Sequence, residues 1–130
     1  MRVMMLFCAL MISGCATVTD SIPSFWDDNQ SAKITDVRLH VDRLDCKGDQ
    51  LAQVSKIRDD LRWFELYSQS KGNLQKDVLR LVAPMQETVE DMFKRNSEGK
   101  GSVTYCELKK KIMQQQAERA AKGVLGRYCW

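Results

Sequence analysis

Cysteine has the widest chemistry open to it in this chain, and five are present: Cys8, Cys15, Cys46, Cys106 and Cys129. A thiol can carry lipid, ligate a metal, attack a carbonyl or close a disulfide, and spacing decides among these. The sequence has no CxxC pair, and its single histidine, His40, is far in sequence from every thiol except Cys46. No metal site is therefore expected. The carboxylate doublets Asp27-Asp28, Asp59-Asp60 and Glu90-Asp91 are adjacent residues. Neighbours on a helix point about 100° apart, so these do not by themselves form an acid/base pair. GxSxG, HExxH and phosphate-cradling glycine motifs are missing. The chain is expected to be no enzyme and to hold no cofactor, with His40 a solvated or half-buried side chain.

Cys15 stands apart from the other thiols because of what precedes it. Arg2 is followed by an apolar run, VMMLFCALMI, that ends in Ser13-Gly14 and then Cys15. A charged start, an apolar stretch and small residues at a cleavage point are the parts of a secretory signal. The run is well short of the ~20 residues a permanent membrane helix needs. Ile12-Ser13-Gly14-Cys15 resembles the lipobox of bacterial lipoproteins. That resemblance implies cleavage before Cys15 and acylation of its thiol and amine by diacylglycerol and a further chain such as palmitate. Two or more chains hold a protein stably on a bilayer, where one does so only marginally. In the lipoprotein class an aspartate after the cysteine favours inner-membrane retention. Ala16 implies the outer membrane, facing the periplasm.

Residues 16–28, ATVTDSIPSFWDD, carry Pro23 and no sustained period, and read as a tether that spans at most ~45 Å. Phe25 and Trp26 are its odd members. They fold back as a lid over the first helix, or they dock a partner or the bilayer interface. The division expected is a signal peptide over 1–14, lipidated Cys15 and tether over 15–28, and a helical domain over 29–130.

From Asn29 onward the apolar spacing is helical. Ile34, Val37, Val41 and Leu44 mark a first helix, broken at Lys47-Gly48. Asp49 caps a second, with Leu51, Val54, Ile57, Leu61, Phe64 and Tyr67 inward, ending at Gly72. Asn73 caps a third, with Leu74, Val78, Leu81, Met85, Val89 and Met92 inward and Pro84 expected to kink it. A loop at Asn96–Gly101 precedes a capping box, Thr104-x-x-Glu107, and a fourth helix carrying Leu108, Ile112, Ala117, Ala121 and Val124. Four helices on short connections predict an all-α antiparallel bundle.

That topology constrains the thiols. Cys46 falls at the end of the first helix and Cys106 in the first turn of the fourth, at the same end of the bundle. Cys129 falls at the other end. A disulfide tolerates Cα atoms no more than ~7 Å apart, so Cys46–Cys106 is the expected bridge. Cys129 is then free or pairs between chains.

Lysine and arginine total 20 against 17 acidic residues, a formal net charge of +3, which does not indicate a nucleic-acid partner. Lys109-Lys110-Lys111, with Arg119, Lys122 and Arg127, forms either a solvated helix face or a surface attracted to anionic lipid or an acidic partner. Trp63, about 100° round from Phe64, is the candidate for partner contact. The expected role is a lipid-anchored, non-catalytic binding or adaptor module for another envelope protein, with no small-molecule substrate. The stretches IPSFWDDNQS and RWFELYSQSKG also resemble small lipoproteins of bacteria and their phages. Phage origin implies superinfection exclusion or an outer-membrane role in lysis. Lysis spanins of that membrane are proline-rich, and this chain departs from the pattern with two prolines.

Overall fold

A computed structural model describes residues 26–72 and 75–127. The expected signal peptide, Cys15, Phe25, the Asn73 cap, Leu74 and Cys129 lie outside the described residues. Four helices follow in order: α1 (Asp28–Asp42), α2 (Gln50–Ser70), α3 (Lys76–Ser97) and α4 (Val103–Leu125). Each packs on two neighbours, α1 on α2 and α4, and α3 on α2 and α4, giving a four-cornered antiparallel bundle. The described residues contain no strand.

α1 starts at Asp28, one residue before the expected start of the helical domain. Asp27 is extended (φ −141°, ψ 122°) and its side chain accepts from the Gln30 backbone N–H at 2.8 Å. The last residues assigned to the tether therefore belong to the folded unit, because the helix needs that cap. The inward stripe is Ile34, Val37 and Val41, and Leu44 is buried just beyond the helix end. Asp49 caps α2 as expected, accepting from the Ala52 N–H at 3.1 Å.

Pro84 lies on the exposed side of α3, which runs as one element from Lys76 to Ser97. Proline removes the donor that the Arg80 carbonyl would use, and the solvent side is where that loss is tolerated. Gly99, at φ +71°, ends the helix. Its N–H bonds the Asn96 carbonyl at 3.1 Å, and the Lys100 N–H bonds that of Arg95 at 2.9 Å. These paired bonds make a Schellman motif, whose left-handed residue favours glycine.

The α4 cap differs from the expected capping box. Ser102 caps the helix by accepting from the Tyr105 N–H at 3.1 Å, and Thr104 is already inside the first turn. The inward stripe differs too: Cys106, Met113, Ala117, Ala120, Ala121 and Val124 are buried, while Leu108 is 57% exposed. Leu108 lies two residues, about 200°, from Cys106 and so faces outward. Leu51 is likewise exposed at the start of α2. Near the end of α4, a Cβ on Gly123 would stand 2.3 Å from Leu81 Cδ1, so the missing side chain lets α3 and α4 approach.

The core is apolar and continuous, from Leu44, Cys46 and Cys106 at one end to Val78 and Val124 at the other. Cys46 and Cys106 form a disulfide with Cα atoms 5.6 Å apart. Cys129 lies outside the described residues. Among those residues no helix is long and apolar enough to cross a membrane.

Candidate functional site

The bundle has two poles. The entry pole is where α1 and α3 begin and α2 and α4 end; the far pole holds the disulfide. At the entry pole Gln30 occupies the position one turn before Ile34 and is fully buried. Its Nε2 donates to Ser68 Oγ at 2.9 Å and to Gln75 Oε1 at 2.8 Å, which ties the first turn of α1 to the last turn of α2 and the residue before α3. Ser68 and Gln75 are buried with it. The Gln30 Nε2 bonds stabilise the node, while Gln30 Oε1 is buried with no hydrogen-bond partner among the described residues and carries the cost of an unmet polar group in a low-dielectric interior.

Asp27 sits beside this node with both oxygens engaged. Oδ1 accepts from the Gln30 N–H, while Oδ2 accepts from the Tyr67 hydroxyl at 3.1 Å and pairs with Lys71. Burial acts to raise the Asp27 pKa. Lys71, the Gln30 N–H and the Tyr67 hydroxyl outweigh it and hold the carboxyl below its ordinary value. Asn29 Nδ2 also donates to the Tyr67 hydroxyl, at 2.9 Å. Arg127 reaches back toward this pole. Burial lowers its pKa, opposed by Asp77 and Asp27, and its Nε donates to the Val124 carbonyl at 2.9 Å.

From Tyr67 the contacts continue along the α1–α2 seam. Trp63 stacks on Tyr67, with ring centroids 4.9 Å apart, and Lys33 Nζ stands 4.9 Å from the Trp63 centroid. Lys33 also lies 3.5 Å from Asp60, and Asp60 Oδ2 lies 2.6 Å from His40 Nδ1. Trp63 is 42% exposed, so the partner-contact candidate does reach the surface, with Tyr67 and Lys33 already against its ring. Tyr67 is half-buried, at the rim rather than in the core stripe with Phe64. Trp26 is half-buried and its Nε1 donates to Asp28 Oδ1 at 2.6 Å, which ties the ring to the first turn of α1.

The expected basic face of α4 divides. Lys109 Nζ stands 5.6 Å from the Tyr105 ring centroid on the α3 side, and Lys110 Nζ donates to the Leu44 carbonyl at 2.8 Å. Lys111 lines the α1–α4 groove, and Lys122 pairs with Glu118 at 3.1 Å. Successive residues on a helix diverge by about 100°, so a run of three lysines serves three surfaces. Lys122 lowers the pKa of Glu118 by hydrogen bond and charge, with a smaller part from Arg38.

Open grooves run between neighbouring helices. One of about 590 Å³ lies between α1 and α4, lined by Arg38, Leu39, Asp42 and Lys111 among others. Another of about 460 Å³ lies between α2 and α3, where Arg58 Nε donates to Glu90 at 2.6 Å. Among the described residues no group of three or more His, Cys, Asp or Glu side chains is placed to hold a metal ion.

Sequence reading missed Gln30, Ser68 and Gln75. One signal was there: stepping the Ile34, Val37, Val41 stripe back by four residues lands on Gln30. No family model, curated protein or solved structure matches the chain.

Proposed function

We propose that this chain is a lipid-anchored envelope protein, acylated at Cys15, held at the outer membrane facing the periplasm. In this reading it works as a non-catalytic binding or adaptor module for another envelope protein. The observation that carries the anchor is the N-terminal series of Arg2, the apolar run and Ser13-Gly14-Cys15, with Ala16 after it. The Cys46–Cys106 bridge suits that compartment, since disulfides persist where thiols are not kept reduced. The binding role draws on the helix surfaces. At the entry pole both Asp27 oxygens are in use, whereas the grooves between helices are open. The dispersal of Lys109, Lys110 and Lys111 over three surfaces gives less support to a role in which α4 lies on the membrane.

The test is Cys15→Ser with palmitate labelling and membrane fractionation. Loss of label and release from the membrane fraction is the expected result. Label retained on the variant would refute the anchor.

A further inference from the structure

The far end of the α3–α4 seam gathers cations in excess of the carboxylates beside them. Lys94 and Arg95 in the last turn of α3, Lys100 in the connecting turn and Lys109 on α4 line an open groove of about 530 Å³ around Tyr105. Its acidic members are Asp91 and Glu98. Glu98 is 3.7 Å from Lys100, while Lys94, Arg95 and Lys109 have no ion-pair partner among the described residues. Four cations against two carboxylates leave the groove with an excess of positive charge, which attracts an anion.

The groove is also organised in advance. The Arg95 guanidinium carbon stands 4.2 Å from the Tyr105 ring centroid, and its Nε donates to the Lys100 carbonyl at 3.4 Å. The Schellman turn fixes Lys100 itself. Stacking and the Nε bond hold the guanidinium and leave its two terminal nitrogens for a carboxylate fork. Less side-chain freedom then remains to be lost on binding.

The geometry points to this groove as the seat for an acidic polypeptide segment, its carboxylates forked by Arg95 and neutralised by Lys94 and Lys109. This rests on the adaptor reading and names the chemistry of the partner. A peptide is favoured over a lipid surface by position. The chain enters α1 at the entry pole, and the groove lies at the far pole, the length of a 23-residue helix away, or about 35 Å at 1.5 Å per residue. A protein tethered through the entry pole and standing upright on its tether presents the groove away from its own bilayer, and the vesicle arm of the experiment covers the other orientation.

The experiment is anisotropy titration of the full chain, in neutral detergent, with a labelled oligoglutamate peptide. The double variant Lys94→Glu/Lys109→Glu is compared with Lys56→Glu/Arg80→Glu, which makes the same charge change at exposed positions outside the grooves. The first should lose about tenfold or more in affinity, and the second should bind like the parent. Arg95→Lys, which keeps the charge and removes the fork, should weaken binding by a smaller factor. Equal losses in both double variants would overturn the proposal by reducing it to net charge. So would an absence of saturable binding, or binding of phosphatidylglycerol vesicles in place of the peptide. Lipidation does not enter this assay, so an acylated chain that ignores the peptide defeats this inference and leaves the anchor standing.

Discussion

At the far pole the bundle is closed by a covalent bond between the α1–α2 turn and the first turn of α4; at the entry pole the same task falls to a buried amide, a hydroxyl and an ion pair. The two solutions differ in what they respond to. The Cys46–Cys106 bridge restrains the unfolded chain and is indifferent to moderate pH. The Gln30–Ser68–Gln75 node acts through hydrogen bonds in the folded state, and Asp27 beside it adds a charge that titrates. A pole closed this way is sensitive to single side chains, whereas the other is sensitive to redox conditions.

The largest expected effect lies at the far pole. The bridge spans a sequence separation of 60, so the chain-entropy relation gives it about 4 kcal/mol of stability. Replacing both cysteines by alanine should lower the unfolding free energy in denaturant by up to that amount. A loss below about 1 kcal/mol would mean that the unfolded chain is already restrained there.

At the entry pole, Gln30→Ala should cost about 2 kcal/mol, because buried Ser68 and Gln75 lose their shared donor. The measurement is the same denaturant titration, made with the bridge intact. A cost equal to that of an exposed substitution would show that the node contributes nothing to closure.

The smallest effect separates the poles by pH. The folded pKa of Asp27 lies below its ordinary value of 3.8, so its carboxylate adds stability above that pH and loses it as pH falls through the lower folded value. Asp27→Asn keeps a capping oxygen and removes the charge. It should cost up to about 1 kcal/mol near neutrality, given the partial exposure of Lys71. That cost should shrink as pH drops below 3.8. A deficit constant with pH would place the effect in the cap geometry instead of the charge.

What could be read from sequence follows the same division. The disulfide was legible because helix count and direction put two cysteines, out of three downstream of Cys15, at one end. Asp49 was legible because its oxygen sits directly before an amphipathic run. The α4 cap was harder: Ser102 and Thr104 both have capping side chains. The Schellman turn at Gly99 fixes where the chain resumes, and that turn is a tertiary detail. Leu108 reads as one of the apolar residues of the fourth helix on hydrophobicity alone, although Cys106 and Met113 hold the buried phase. Gln30 was passed over because an amide reads as a surface residue, and its burial depends on Ser68 and Gln75, some forty residues away. The groove around Tyr105 escaped for a related reason. Its cations come from α3, the turn and α4, and no linear run contains them.

The lipid anchor is decided by the mass of the N-terminal peptide from the membrane-bound protein. Lipid anchoring at Cys15 predicts a mature chain that begins at that residue and carries a diacylglyceryl group on its thiol. An unmodified chain that begins at Met1, or one cleaved elsewhere with Cys15 unacylated, would contradict it.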